Sequence, residues 1–350
     1  MDRQIMAANI PKINLALQGG GAHGAFAWGA IDYFLEHECF EVEAVTATSA
    51  GAMNAVALAY GLHIGGREGA REKLREFWKA VSDKGRWFTG GRSFPWQDFT
   101  PGVDAGQWLT YAWVETISRT ISPYDFNPFN YHPLREVLES VIDFDALHAC
   151  RAVKLFVSAT NVATGKVKVF DTEEVSVDAV LASACLPFLF QAVEIEGQHY
   201  WDGGYIGNPS LWPLFYETKS RDIFVIQLNP MVRRSVPQRP SEILNRINEI
   251  SFNSSLVKEM RSIAFVQKLV KNDWLKDEHK HEVKDVLFHA MRADQHLCDL
   301  SVASKFDTDW RFFEDLFERG RTAAELWFAE YGETLGRTSS VDLHAEFLDD

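Results

Sequence analysis

Ile13-Asn14-Leu15-Ala16-Leu17-Gln18-Gly19-Gly20-Gly21-Ala22-His23-Gly24 is an apolar run that ends in a cluster of glycines. A second stretch, Ala44-Val45-Thr46-Ala47-Thr48-Ser49-Ala50-Gly51, repeats the plan with smaller residues. Each reads as a strand that turns directly into a helix. Glycine in the first turn lets the backbone approach a ligand with its N–H groups inward, and the helix N-terminus adds partial positive charge. In the second turn Ser49 stands on a strand-to-helix elbow, which strains its backbone and lifts its Oγ out of the sheet. Such an elbow needs very small residues two positions away on either side. Gly51 meets that need fully, and Ala47 meets it with one methyl group. An incidental serine in a small-residue connection reads the same segment equally well.

Trp201-Asp202-Gly203-Gly204 is the third element. A carboxylate within hydrogen-bonding reach of a serine accepts its proton directly if the site is dry enough to raise the Asp pKa. Alone, Asp-Gly-Gly is an ordinary turn. Gly19, Gly21 and Gly24 also spell the G-x-G-x-x-G of dinucleotide sites. That motif expects an acidic residue at the end of the next strand, where this chain has Thr48-Ser49, so an oxyanion role ranks above nucleotide binding. A triad through His199 is the weaker alternative to a direct Ser–Asp pair.

These segments, with Ala182-Ser183-Ala184-Cys185-Leu186-Pro187 between them, resemble the bacterial patatin-like phospholipases, a family of Ser-Asp dyad lipid acyl hydrolases. The resemblance spans residues 13 to about 210. It implies a three-layer α/β/α sandwich with a mostly parallel central sheet, Ser49 as nucleophile and Asp202 as base. It also implies an oxyanion hole from Gly19, Gly20, Gly21 and Ala50, with no cofactor and no metal. Two positions depart from the pattern. Ala47 replaces the usual first elbow glycine, and His23 stands where arginine or lysine is common. A neutral imidazole supplies less fixed charge beside a lipid phosphate than a guanidinium, which puts phospholipid preference in question more than hydrolysis.

The 350 residues are 46% hydrophobic and carry no Pro/Gly/Ser-rich linker, which suits one α/β unit over 1–350. Within it, 13–210 reads as the catalytic core and 211–335 as strands and helices completing the same domain. Strands are expected at Ile13–Gln18, Ala44–Thr48, Lys154–Thr160, Val167–Phe170, Ala192–Ile195, Ile223–Leu228 and Val286–Met291. Helical stretches between several of them argue for a sheet covered on both faces. Residues 84–131 are loop-like and aromatic, and read as a cap over the serine or as a local packing cluster. Trp96 and Trp108 in that insertion, with His23 and Pro187, are the candidate substrate contacts. Helices are expected over 241–271, where Leu256, Met260, Ile263, Ala264 and Val270 share a stripe, and over 309–331. The tail after Gly336 reads as acidic and poorly ordered.

A net charge of −14 argues against nucleic-acid binding. No apolar stretch approaches the ~20 residues that span a bilayer, and the first residues lack a secretion-signal pattern. Cys39, Cys150, Cys185 and Cys298 are scattered, as free thiols of a cytoplasmic protein would be. The basic residues of 241–271 suggest peripheral membrane contact, and its stripe a core-facing or homodimer contact. The expected substrate is a phospholipid or related lipid ester. The alternatives are a carboxylesterase or polyester depolymerase acting on other hydrophobic esters, and a non-catalytic interaction protein that retains the fold.

Overall fold

Alternation within the apolar runs sets the layers. The computed structural model describes residues 10–88, 121–233, 236–276, 278–279, 283–300 and 303–348. Along Lys12–Leu17 (β1), Ile13, Leu15 and Leu17 enter one core cluster and Ala16 a second. Lys154–Asn161 (β3) divides likewise, with Leu155, Val157 and Ala159 on one side and Phe156 on the other. Asp222–Gln227 (β7) sends Phe224 and Ile226 one way, Ile223 and Val225 the other. A sheet apolar on both faces must be covered twice, and it is.

The remaining strands are Glu41–Ala47 (β2), Val167–Asp171 (β4), Val193–Ile195 (β5), Gln198–Asp202 (β6) and Leu287–Arg292 (β8). Their order is β5-β6-β3-β2-β1-β7-β8, with β4 also on β3. The pairs β3–β2, β2–β1, β1–β7 and β7–β8 are parallel, whereas β4, β5 and β6 pair antiparallel. The architecture is therefore an α/β/α sandwich around a mixed, mostly parallel sheet. Seven of the eight strands coincide with the expected ones. The eighth, β6, carries only one fully hidden apolar side chain, Tyr200, and so lacks an apolar signature.

One face is covered by Gly24–Glu36 (α1), Ala50–Phe88 (α2), Pro133–Val141 (α3), Val177–Ser183 (α4) and Trp310–Tyr331 (α6). The other is covered by Pro240–Lys271 (α5) and Leu343–Phe347 (α7). Helix α2 starts at the Ser49 elbow and bends at Gly65-Gly66. In α5, Leu256, Met260, Ile263 and Ala264 face the core. The expected disorder after Gly336 is overturned for residues 337–348: Leu343 is buried, and Phe347 packs on the same cluster. Much of the aromatic insertion, with Trp96 and Trp108, lies at 89–120, outside the described residues.

Asp32 fastens three helices of the first layer. It is buried on α1, receives Arg71 of α2 at 2.9 Å and is also paired with Arg321 of α6. Removing one partner of such a buried group leaves opposing charge uncompensated. Asp32→Ala is expected to destabilise the fold by about 2 kcal/mol, less than for a fully buried pair because both guanidiniums are partly exposed. Equilibrium denaturation in urea measures this, and an unchanged midpoint would remove Asp32 as the fastener.

Candidate active site

The carboxyl ends of β1, β2 and β6 converge, and each delivers one part of the site. Beyond β2, Ser49 has φ of 56°, in the left-handed region that non-glycine residues seldom occupy. The turn is held by its own hydrogen bonds, from Gly51 N–H to Thr48 O at 2.9 Å and Ala52 N–H to Ser49 O at 2.9 Å. A Cβ at position 51 would collide with the Leu17 carbonyl oxygen, so strand β1 and helix α2 approach as closely as they do only over glycine. The Ser49 N–H donates to the Ser183 hydroxyl at the end of α4, at 2.9 Å. That contact gives the Ala182–Pro187 segment a physical task, namely bracing the elbow from the side.

Asp202 closes β6, paired opposite Ala159 of β3. It is 1% exposed. Its N–H donates to Cys185 O at 2.8 Å, and its carbonyl accepts from the Thr160 hydroxyl at 2.8 Å. One carboxylate oxygen accepts the Gly204 N–H at 2.7 Å, and the Ser49 side chain lies close enough to the carboxylate to lower its pKa. Burial pushes the Asp202 pKa up to about 7, with Gly204 and Ser49 working in the opposite direction. The loop after Asp202 is tied to the elbow strand: Thr46 Oγ1 donates to Ser210 O at 2.6 Å and Thr48 Oγ1 to Gly207 O at 2.7 Å.

The glycine loop lies against this pair. A Cβ at Gly19 would fall 2.8 Å from Ser49 Cβ. The Gly19 N–H is already engaged by Asn208 Oδ1 at 2.8 Å, which withdraws Gly19 from the expected donors. The N–H groups of Gly20, Gly21 and Ala50 meet no protein acceptor among the described residues. Behind the loop, Asn229 Nδ2 donates to Gly19 O at 2.8 Å, and Lys305 Nζ donates to Asn229 Oδ1 at 2.8 Å. Gln18 Oε1 accepts the N–H groups of Leu228 and Asn229 at 2.8 and 2.7 Å, while its Nε2 donates to Asn253 Oδ1 at 2.8 Å. Burial lowers the Lys305 pKa to about 8, against the pull of Glu249.

Other expected residues lie elsewhere. The His23 ring is buried against Phe312 and bonded to the Ser304 hydroxyl at 2.8 Å, and burial lowers its pKa to about 3. It is a neutral packing residue and not a charge presented to substrate. His199 is exposed beside Glu194 at 3.8 Å. Pro187 sits half-buried in the loop between α4 and β5. Sequence reasoning missed Asn208, Asn229, Gln18 and Lys305, none of which lies in a recognisable motif; Asn208-Pro209, soon after Asp202, was the one local hint of a specific turn. A polar cavity of about 200 Å³ lined by His132, Arg135, Asp178 and Gln191 lies along α4 and contains none of these residues. No His/Cys/Asp/Glu cluster suited to a metal occurs among the described residues.

Asn229→Asp keeps an acceptor for Lys305 but removes the donor to Gly19 O and adds negative charge behind the loop. Ester turnover should fall roughly ten- to a hundredfold in kcat, with KM little changed. Unaltered kcat in folded protein would show that the loop does not need this support.

A family model described as patatin-like phospholipase matches residues 15–215, more than half of the chain. No curated protein matches. Among solved structures, VipD from Legionella pneumophila is 13% identical with a TM-score of 0.44, over 91% of this chain and 67% of that one. ExoU of the type III secretion system of Pseudomonas aeruginosa, in complex with SpcU, is 14% identical with a TM-score of 0.29, over 91% and 53%. The chain thus spans between about half and two thirds of those longer proteins. At these values the likeness is distant, and no residue role is taken from either.

Proposed function

This chain belongs to the patatin-like phospholipase family, and from that premise we propose that it is a serine lipid acyl hydrolase working through Ser49 and Asp202. Family membership supports lipid acyl hydrolysis in general. The observation that carries the finer reading is the Ser49 elbow, in a left-handed backbone conformation, standing beside a buried carboxylate whose pKa is raised to about 7. A carboxylate so desolvated is a far stronger base than one in water, and about half of it is still ionised at neutral pH.

The steps follow from the groups at hand. Asp202 accepts the Ser49 proton as Oγ attacks the ester carbonyl. The N–H groups of Gly20, Gly21 and Ala50 take the negative charge that develops on the carbonyl oxygen. Collapse breaks the bond to the alcohol, which leaves with the proton held by Asp202. Water then gives a proton to Asp202 as it attacks the acyl-enzyme, and as the fatty acid departs Asp202 returns that proton to Ser49 Oγ, restoring both groups. No imidazole is required, which is consistent with the exposed position of His199.

A fluorophosphonate probe should label wild type and not Ser49→Ala. Absence of labelling in folded wild-type protein would favour a non-catalytic role. Phospholipid vesicles, short-chain p-nitrophenyl esters and polyester granules then separate a lipid hydrolase from a general esterase or depolymerase. Because Asp202 acts as its base form, kcat/KM should rise with pH through a midpoint near 7. Asp202→Asn should lose this dependence and roughly a thousandfold in rate.

The same shift acts on stability. Folding moves the carboxyl from its ordinary value of 3.8 to about 7. Between those values the native state keeps a proton that the unfolded chain has released, so stability falls as pH rises across that window. Asp202→Asn should melt above wild type at a pH past the upper value, and the gap should close as pH falls toward the lower one. Equal melting temperatures throughout would argue against a desolvated Asp202.

A further inference from the structure

The long helix α5 has a second face that the sheet does not use. Opposite the buried Leu256, Met260, Ile263 and Ala264, the residues Ile243, Ile247 and Ile250 are 41%, 53% and 55% exposed, and Phe265 is 52% exposed. Spacings of three and four place them in one row along the helix, together with Lys258, Arg261 and Lys268. Lys258 and Arg261 are exposed. The row 243, 247, 250, 254, 258, 261, 265, 268 contains no Asp or Glu, although the chain as a whole carries a net charge of −14.

The row also runs beside the site. Helix α5 is 32 residues long, about 48 Å, and its middle touches the catalytic loops. Asn253 Oδ1 accepts from Gln18, and its Nδ2 donates to Pro230 O at 3.0 Å. Phe252 packs on Tyr205 at 5.1 Å between ring centroids and stands against Gly204, two residues beyond Asp202. The isoleucines lie on the half of α5 that precedes these contacts, the cations on the half that follows.

From this placement we propose that the exposed row of α5 is a docking surface for an anionic lipid aggregate, with the isoleucines and Phe265 entering the headgroup boundary and Lys258, Arg261 and Lys268 meeting its negative charge. Apolar side chains and cations sharing one helix face are the chemistry of an interfacial helix. A contact between two copies through the same row would bury Lys258 and Arg261 with no acid in the row to receive them, which disfavours that occupant. The purpose of docking rests on the lipid-hydrolase reading; the docking itself does not need turnover.

The test is cosedimentation of Ser49→Ala protein with vesicles of ether-linked phosphatidylcholine, with and without ether-linked phosphatidylglycerol. Binding is expected, stronger with phosphatidylglycerol. The combined variant Ile243→Ser, Ile247→Ser, Ile250→Ser should lose roughly tenfold or more in affinity for both vesicles. The combined variant Lys258→Glu, Arg261→Glu, Lys268→Glu should lose only the gain from phosphatidylglycerol. In the Ser49 background both should keep wild-type turnover of a soluble short-chain ester, which reports intact folding. No vesicle binding by the parent, unchanged binding by the isoleucine variant, or a parent dimer that this variant dissolves would each overturn the proposal. Fluorophosphonate labelling without vesicle binding would sink docking alone, whereas vesicle binding without labelling would sink the hydrolase reading alone.

Discussion

Burying one carboxylate with no cation in contact with it is the constraint on which this site depends. Asp202 is hidden from water; the Gly204 N–H meets its carboxylate, and the Ser49 side chain lies close enough to lower its pKa. An ionised carboxylate beside an arginine would be a feeble base, because the cation would hold its pKa low. Desolvation does the opposite, at the expense of stability. The fold meets that demand by ending a short antiparallel strand against β3 and fixing the Asp202 backbone at both its N–H and its carbonyl. Neither fixing bond reaches the carboxylate, so its basicity is kept.

The serine elbow and the glycine loop are held by a similar division of labour. Parallel strands β1 and β2 lie side by side and end together, which sets two turns next to each other at the carboxyl end of the sheet. Their closeness demands Gly51 beneath Leu17 and leaves Ser49 in a left-handed conformation. Such strain persists only where surrounding bonds over-determine it. Ser183 braces the elbow, and Asn208, Asn229 and Gln18 brace the loop. Lys305 adds a positive charge behind the N–H groups without entering the cleft. The position where a basic residue would usually follow the glycines is occupied by His23, buried and neutral, and the nearest fixed cation reaches the loop from far along the chain.

Much of this was legible in the residues. Apolar runs announced seven strands, most plainly β1, β3 and β7, because strands covered on both faces must be apolar throughout. The elbow, the glycine turn and Asp202 were legible because each needs special residues at fixed local spacing. Strand β6 was not, since a short strand with Gln198 and His199 facing solvent has no apolar pattern to betray it. The ordered end of the chain was missed for a related reason: Leu343 is the one fully buried side chain in a largely polar segment, and only the cluster it joins, with Phe347, makes it structural. The face of α5 that meets solvent was equally hidden, because isoleucines at helical spacing look the same whether a core awaits them or not.

By itself, then, the sequence determined the layered α/β class, the family, and the three segments from which chemistry can be built, since those depend on periodicity and on residues with special backbone freedom. Tertiary structure alone decided which groups meet: that Ser49 comes close to Asp202 across 153 positions, that Gly19 is engaged while Gly20 and Gly21 are free among the described residues, that His23 turns into the core, and that Lys305 stands behind the loop. The reason is physical. A pKa, a desolvated charge or a spare N–H belongs to an environment assembled from distant segments, and no local pattern encodes what will surround a side chain once the chain has closed around it.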